Sequence, residues 1–316
     1  MILQDTLKTH LPLILDGAMG TELQRRGIDT GLPLWSANAL LIKPDEVLKI
    51  HQDHIAAGAD IITTNTFRTT RRTMRRANLP DRSLQLTRNA VDLAQRAREA
   101  FPERAILIAG SIAPLEDCYR PDLVPSEPAL KEEHTELAER LAEAGVDFIL
   151  VETMNTIREA YAACSAAVAT GKEAVVSFVC NKEGNLLGGE SLADAVTVIA
   201  GLRPAGFSIN CVSPRYLKLP LSVLKSQITN PRLTPSGFAV RAGGGQVASQ
   251  CLIAAYGNVG LPESDQHGWE FTHDMDEDEY AIHARDWARM GASIVGGCCG
   301  TTPEYIRAVA SVLGKR

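Results

Sequence analysis

Short apolar runs alternate with longer amphipathic stretches along the chain. Eight runs have strand character, and they are LILD near Leu13, IITT near Ile61, ILIAG near Ile106, FILVE near Phe148, VVSFVC near Val175, FSIN near Phe207, LIAAY near Leu252 and SIVGG near Ser293. Strands that alternate with helices are typical of parallel βαβ units. Because eight units match a closed barrel, the pattern predicts an α/β fold with one (β/α)₈ barrel, in which residues 1–316 form a single domain.

The stretches between these runs carry apolar residues at helical spacing. In PDEVLKIHQDHIAAGAD, Val47, Ile50 and Ile55 repeat at this spacing, and Gly58 is placed to end the helix. EEHTELAERLAEAGVD and DEYAIHARDWARMGAS repeat the pattern, and each ends in Ala-Gly or Gly-Ala just before a strand. We therefore expect these helices to cover the barrel from outside.

Two stretches depart from this rhythm. Residues 229–250 are rich in Gly, Pro and Ser and precede the seventh strand, whereas residues 258–274 follow it. In a parallel barrel, the loops after the strands form the catalytic face and the loops before them form the opposite face. The order therefore predicts an active-site loop over residues 258–274, and it places residues 229–250 at the other end of the barrel.

Charge and hydropathy narrow the choice of partners. The formal net charge is −6, and acidic and basic residues are interspersed, so the chain lacks the basic surface of a nucleic-acid or membrane-binding protein. The first residues are too weakly apolar for a secretory signal, and no apolar run has the roughly eighteen residues needed to span a bilayer. We expect a soluble, cytoplasmic protein with small-molecule partners. Its oligomeric state is left open.

Two other groups of residues offer no competing site. The histidines His51, His54, His134 and His283 lie in helix-like stretches, without partners at the strand ends. Five arginines follow the second strand, and a solvated helix face explains them better than an anion site in this acidic chain. They are Arg68, Arg71, Arg72, Arg75 and Arg76.

The cysteines indicate a metal centre. Seven cysteines in a chain without a secretory signal favour reduced thiols or metal ligands over disulfides. Cys211 follows the sixth strand, and Cys298 and Cys299 follow the eighth in GGCCGT, so the three thiols can meet at one face of the barrel. Three thiolates with an open fourth position describe a catalytic zinc site, and soft sulfur ligands suit a thiol substrate.

Burial is the ordinary alternative for any cysteine, but placement at the strand ends favours metal binding for this trio. Cys180 also ends a strand and is a competing ligand on the same reasoning. We expect Cys118, Cys164 and Cys251 to be packing residues.

Polar side chains stand at the same strand ends, where we expect them to bind the substrate. They are Asp16, Thr64, Asn65, Glu152, Asn210 and Asn258. Ser111 follows the third strand at the same face. Structural roles are the alternatives. Glu152 could cap the next helix or pair with an arginine, Asp16 could fasten the DGAMGT turn, and the asparagines could bond the backbone.

These motifs resemble those of the homocysteine S-methyltransferase family, through LILDGAMGTEL, ITTNTF, GSIAP, FILVET, SINC, AAYGNVG and GGCCGTTPEYI. The resemblance covers nearly the whole chain, and its specific part is the cysteine pair together with the separate Asn-Cys. It implies a zinc-dependent enzyme whose ligands match Cys211, Cys298 and Cys299, which leaves Cys180 outside the set. It also implies that the residues matching Glu152 and, less uniformly, Asp16 hold the ammonium group of homocysteine.

The methyl donor follows less directly from this resemblance. Betaine-dependent members have a tyrosine after the matching glutamate and a C-terminal dimerisation arm, whereas Thr153 follows Glu152 here and the chain ends soon after the eighth helix. Similarity to the short, single-domain members implies a sulfonium donor, with S-methylmethionine ahead of S-adenosylmethionine. Trp35, Phe67 and Trp269 could face the sulfonium cation, and packing in the core is the alternative for Trp35 and Phe67.

Three other functions are weighed against methyl transfer from a sulfonium. The first is a betaine-dependent homocysteine methyltransferase. The second is a zinc hydrolase, which three thiolate ligands disfavour, since hydrolases use ligand sets rich in nitrogen and oxygen. The third is a non-catalytic thiol-binding or structural zinc barrel, in which a fourth protein ligand would close the metal site.

Overall fold

The computed structural model describes residues 2–8, 11–229, 251–262, 269, 270, 272 and 275–315. Within these residues the strands are β1 (Leu13–Ile14), β2 (Ile61–Thr63), β3 (Leu107–Ile112), β4 (Phe148–Met154), β5 (Ala174–Phe178), β6 (Gly206–Asn210), β7 (Leu252–Gly257), β8 (Leu261–Pro262), β9 (Trp269–Glu270) and β10 (Ile294–Gly297). All eight apolar runs of the sequence contribute a strand.

Eight of these strands form one parallel sheet, in the order β1-β10-β7-β6-β5-β4-β3-β2. A parallel bridge between Leu15 and Ile61 joins the two ends of this sheet. The strands therefore form a nearly closed barrel, which confirms the predicted (β/α)₈ fold. The carboxyl ends of all eight strands lie at one end of this barrel because the strands are parallel.

Helices surround the strands. They are α1 (Ile2–Leu7), α2 (Gly20–Arg25), α3 (Ala39–Ile42), α4 (Pro44–Ala57), α5 (Arg71–Arg76), α6 (Ser83–Glu99), α7 (Glu127–Ala144), α8 (Ile157–Ala169), α9 (Leu192–Ala200), α10 (Lys218–Thr229), α11 (Glu277–Met290) and α12 (Pro303–Val312). As predicted, α4 and α7 end at Gly58 and Gly145, whose φ angles of 118° and 90° favour glycine. In the described ranges, no helix is both long enough and apolar enough to cross a membrane.

The strands separate two apolar cores. Leu13 and Leu15 belong to the cluster inside the barrel, whereas Ile14 between them packs in the layer between strands and helices. This period of two follows from the pleat of a strand. Leu3 of α1 is fully buried in the inner cluster, and its backbone amide donates to the carboxylate of Glu173, which precedes β5. Helix α1 thus covers the end of the barrel opposite the carboxyl ends of the strands.

Much of the two irregular stretches lies outside the described residues. Within residues 258–274, β8 pairs with β9 in antiparallel orientation. Residues 263–268, 271, 273 and 274 are outside the description, as are residues 230–250 of the stretch rich in Gly, Pro and Ser. The active-site loop and the placement of residues 229–250 stay predictions.

Candidate active site

A cavity of about 420 Å³ opens at the carboxyl ends of the strands. Its walls come from the ends of strands and from the loops that follow β1, β2 and β3. Among the residues that line it are Asp16, Trp35, Thr64, Asn65, Phe67, Arg68, Ser111, Tyr119, Glu152, Cys211, Tyr256, Cys298 and Cys299. Most residues that the sequence predicts to act on substrate therefore share one cavity.

The three predicted metal ligands meet in this cavity. The sulfur of Cys211 lies 2.9 Å from that of Cys298 and 3.9 Å from that of Cys299, and all three atoms lie within 4.8 Å of one another. In the described part of the chain, no other group of three or more His, Cys, Asp or Glu side chains has metal-binding spacing. Cys180, the competing candidate, is instead buried in the core between strands and helices.

Close backbone packing sets the position of Cys298 and Cys299. A side chain at Gly297 would place its Cβ 2.2 Å from the hydroxyl oxygen of Thr301, and one at Gly296 would lie 2.6 Å from the Leu15 backbone oxygen. The turn after the pair is held by Thr301, whose hydroxyl donates to the Cys298 carbonyl oxygen at 2.7 Å. The glycines of GGCCGT thus let the cysteine loop lie against its neighbours.

The local backbone also directs the third sulfur. Cys211 directly follows β6 and has a φ of 53°, in the left-handed region that non-glycine residues rarely adopt. Thr153, which follows Glu152, has a φ of 60°. Strained backbone of this kind is common at functional sites, where the surrounding fold holds it in place.

The three thiols form one hydrogen-bonded group. Hydrogen bonds from Cys211 and Cys299 hold the pKa of the Cys298 thiol well below its usual range, whereas hydrogen bonding to the other two sulfurs, followed by burial, raises the pKa of Cys211. The group therefore favours a thiolate at Cys298 that two thiols stabilise. A cation bound by these sulfurs would displace the remaining protons.

The sulfur set fits a tetrahedral, thiolate-binding metal ion. Zinc to sulfur bonds of about 2.3 Å in a tetrahedral site place sulfur atoms roughly 3.8 Å apart. The separation of Cys211 and Cys299 agrees with that value, and the Cys211 to Cys298 pair needs to open by about 0.9 Å to reach it. All three cysteines are only half-buried, so their sulfurs can be reached from the cavity.

Glu152 lies at the end of β4, in the wall of the same cavity. The Ser111 hydroxyl donates a short hydrogen bond to one carboxyl oxygen, and the Tyr256 hydroxyl lies 3.4 Å from the other. Burial, followed by the negative charge of Cys298, raises the pKa of Glu152 to about 8. Near neutral pH these surroundings therefore favour the protonated carboxyl, and a bound cation would favour the carboxylate.

Asp16 both lines the cavity and fastens two strands. Its carboxyl oxygens accept from the backbone amide of Thr63 at 2.7 Å and from the Thr63 hydroxyl at 2.9 Å. Burial is the largest influence and raises the pKa of Asp16 to about 7 in spite of these bonds. This contact runs to β2 and not to the DGAMGT turn, which was the structural alternative for this aspartate. The position of Asp16 in the cavity wall keeps it available to a substrate.

The asparagines have more varied surroundings. Asn210 is fully buried, and its amide accepts from the Thr153 amide at 3.0 Å and donates to the Thr153 hydroxyl at 2.8 Å, so it supports the strained backbone beside Glu152. Asn65 lines the cavity and donates to the Ser36 carbonyl oxygen at 2.9 Å. The backbone amide of Asn258 donates to Val212. Neither Asn210 nor Asn258 is among the residues that line the cavity.

Aromatic residues form part of the cavity wall. Trp35 lies so close to Gly20 that a Cβ there would be 2.3 Å from the indole nitrogen. Phe67 lines the cavity nearby, and the side chain of Trp269 lies outside the described residues. Tyr119 is an addition to the predicted set: it lines the cavity, and its buried hydroxyl has no hydrogen-bond partner in the described ranges.

The sequence did not assign Tyr256, Tyr119 or Arg68 to the site, although all three line the cavity. Tyr256 is part of β7, where an aromatic residue is normally read as core. Its alternation with Ala254 inside the barrel could have identified it. Tyr119 and Arg68 lie in loops beyond the strand ends, where no periodic pattern indicates the direction of a side chain.

Comparisons with known proteins identify the family of this chain. The model of the homocysteine S-methyltransferase family matches residues 13–313. The homocysteine S-methyltransferase YbgG of Bacillus subtilis is 29% identical over 330 residues, spanning 98% of this chain and 96% of that protein. A selenocysteine methyltransferase of Astragalus bisulcatus is 27% identical over 332 residues, spanning 95% of this chain and 92% of that protein.

A solved structure of a similar protein has the same fold. The metallated form of the homocysteine methyltransferase MmuM from Escherichia coli superimposes with a TM-score of 0.80 at 27% identity, covering 99% of this chain and all of that one. The family model, the similar sequences and the similar structure each cover nearly the whole chain, and all three are homocysteine or selenocysteine methyltransferases. This result agrees with the resemblance that the sequence motifs show. The chain belongs to the homocysteine S-methyltransferase family and is a methyltransferase of that type.

Proposed function

We propose that this enzyme holds one zinc ion with Cys211, Cys298 and Cys299 and transfers a methyl group from S-methylmethionine to the thiol of homocysteine. The observation that carries the proposal is the convergence of three sulfurs from β6 and β10 on one cavity. A metallated form of the similar MmuM supports a metal here, and the soft sulfur donors favour zinc over magnesium or calcium.

The cavity accounts for binding of the acceptor. Zinc, when bound, supplies a deprotonated thiol at neutral pH, where a free thiol with a pKa near 8.5 is mostly protonated. Glu152 and Asp16 hold the ammonium group of homocysteine by charge-assisted hydrogen bonds. Ser111 and Tyr256 fix the Glu152 carboxyl, so that the amino acid is oriented before the methyl group arrives.

The aromatic residues of the cavity wall explain how the methyl donor is bound. Trp35 and Phe67 offer ring faces to a sulfonium cation and keep water from the reacting carbon. The acceptor sulfur forms a bond to the methyl carbon while the bond from that carbon to the donor sulfonium breaks. The sulfonium charge and the thiolate charge disappear together, and S-methylmethionine and homocysteine each become methionine.

A labelled transfer assay tests this function. Zinc-loaded protein is incubated with homocysteine whose carbon chain carries deuterium, so that methionine made from the acceptor is distinguished by mass from methionine left by the donor. S-methylmethionine, S-adenosylmethionine and betaine are compared as donors, with Cys298→Ala as the metal-site variant and Cys251→Ala as the matched cysteine control. We expect deuterated methionine from S-methylmethionine with the wild type and with Cys251→Ala only.

The other outcomes separate the alternatives. Efficient transfer from betaine would contradict a sulfonium donor. Activity with S-adenosylmethionine alone would change the donor and leave the zinc site as proposed. Absence of transfer from every donor, with zinc bound, would favour a thiol-binding zinc barrel. Full activity of Cys298→Ala would contradict the metal site.

A further inference from the structure

Arg68 differs from its neighbours in the arginine cluster. Arg71 pairs with Glu136 at 2.6 Å and Arg72 with Glu133 at 2.6 Å. Arg72 and Arg76 also hold the buried carboxylate of Glu116. Arg71, Arg72 and Arg76 therefore form an ion-pair network, where the sequence predicted a solvated face. Arg68 forms no ion pair with any residue in the part of the chain that the structure describes.

The guanidinium of Arg68 is nevertheless held in place. One terminal nitrogen donates to the backbone oxygen of Glu116 at 2.9 Å, and the central carbon lies 5.4 Å from the centre of the Phe67 ring. Arg68 and Phe67 both line the cavity. An arginine has five N–H donors, so this anchoring leaves most of them for a ligand and keeps the planar group fixed for two parallel bonds to a carboxylate.

The charges of the cavity lining also favour binding of a carboxylate by Arg68. The other arginine that lines the described cavity is Arg120, and Asp122 pairs with it at 2.6 Å. Asp16 and Glu152 lie at the sulfur end of the cavity, where a bound ammonium group would favour their carboxylates and a substrate carboxylate would not be matched. Arg68 is thus the arginine of the described lining that forms no ion pair with a protein carboxylate.

We infer that Arg68 binds the α-carboxylate of the methyl donor and so selects a sulfonium that is itself an amino acid. The inference rests on the proposed function. It assigns the donor to the wall formed by the loops after β1, β2 and β3, where Phe67 lies beside the guanidinium and Trp35 and Tyr119 also line the cavity. A ligand with a sulfonium against aromatic rings and a carboxylate a few bonds away matches S-methylmethionine.

The test compares donors with and without the carboxylate. S-methylmethionine is compared with (3-aminopropyl)dimethylsulfonium, which is the same molecule lacking that group. Arg68→Met should raise KM for S-methylmethionine by about tenfold to hundredfold, the loss expected for a charged hydrogen bond, and should leave KM for the carboxylate-free donor and for homocysteine unchanged. Arg68→Lys should recover part of the loss because it keeps the charge without the planar pair.

Controls separate binding from folding and from general charge. Arg75→Gln removes an exposed positive charge from the same cluster outside the cavity and should behave as wild type. Calorimetry gives the Kd of S-methylmethionine directly, and that Kd should weaken in Arg68→Met as KM does. The melting temperature reports any loss of the bond to Glu116.

Each remaining outcome has a distinct meaning. An equal loss for both donors would make Arg68 structural, and a loss confined to homocysteine would assign it to the acceptor. Either result overturns the inference and leaves the proposed function intact. If the wild type used neither sulfonium, the proposed function would fail and this inference with it.

Discussion

The sulfur atoms of Cys211 and Cys298 lie 2.9 Å apart, although 87 residues separate the two cysteines along the chain. The contact exists because β6 and β10 both pair with β7 and end at the same face of the barrel. A disulfide bond would need about 2.05 Å, so the two sulfurs touch without being bonded. Such a contact is expected where thiols share a proton before a metal ion replaces it.

The first prediction concerns metal content. Cys298→Ala and Cys299→Ala should each lose most of the bound zinc while the barrel remains folded, because the sulfurs lie at the strand ends and face the cavity. Metal analysis by mass spectrometry beside circular dichroism checks this, and Cys251→Ala is the matched control that should keep its zinc. Full zinc retention by both variants would reject the site, and unfolding on metal loss would indicate a structural zinc.

A second prediction concerns recognition of the acceptor. Glu152→Gln should keep zinc and lose about tenfold to hundredfold in kcat/KM for homocysteine, since a charge-assisted hydrogen bond contributes about 1.5 to 3 kcal/mol. A thiol without an amino group, such as 3-mercaptopropionate, should be affected far less. Equal losses for both thiols would show that Glu152 acts in methyl transfer or in folding and does not anchor the ammonium group.

Proton release on binding provides a third prediction. Burial raises the pKa of Glu152 to about 8, so at pH 7 the free enzyme mostly carries the protonated carboxyl. An ammonium group stabilises the carboxylate, so homocysteine should displace this proton in addition to the proton of its own thiol. Calorimetry in buffers of different ionisation enthalpy should therefore count about one proton fewer for Glu152→Gln at pH 7.

The same measurement has an internal check. The difference between wild type and Glu152→Gln should shrink above pH 8, where the free enzyme already carries the carboxylate. It should be absent for 3-mercaptopropionate, which brings no ammonium group. Equal proton counts for the two proteins at pH 7 with homocysteine would contradict the protonated state of Glu152.

A fourth prediction concerns Tyr280, whose hydroxyl bonds the backbone of two strands next to the cysteine loop. Its hydroxyl lies 2.7 Å from the Gly296 carbonyl oxygen and accepts from the Gly257 amide at 3.1 Å, so it ties β10 to β7 just before Cys298. Tyr280→Phe leaves these buried groups without that partner and should cost about 1 to 3 kcal/mol of stability.

Removal of the Tyr280 hydroxyl should also weaken zinc binding, because the loop that carries Cys298 and Cys299 is then held less firmly. Denaturant unfolding and a zinc competition titration measure the two effects. Tyr161→Phe, which removes a hydroxyl from an exposed tyrosine, is the matched control. Unchanged stability and unchanged zinc affinity in Tyr280→Phe would show that the hydroxyl does not support the site.

The fold could be predicted because its signal is local. Each strand is a short apolar run followed by a turn, and helices such as α4 end at a glycine that can be recognised in the sequence. The pattern therefore indicated eight units, and the parallel arrangement followed from their alternation with helices. The small hairpin of β8 and β9 carries no such pattern, since each strand has only two residues.

The site was predictable where side chains stand at strand ends. Glu152 and Cys211 follow directly from this rule, because the barrel brings all strand ends together. The environment of each group was not predictable, since it depends on residues far apart in sequence. The sequence could not show that Thr63 would hold Asp16 or that Glu116 would neutralise the arginines near Arg68.

X-ray absorption at the zinc edge, recorded with and without homocysteine, tests the open thiolate site most directly. We expect three sulfur neighbours and one lighter atom in the free enzyme, because the cysteine trio leaves one position open. On addition of homocysteine, the lighter atom should be replaced by a fourth sulfur. Four sulfurs in the free enzyme, or no change when homocysteine binds, would contradict an open thiolate site that takes the acceptor thiol.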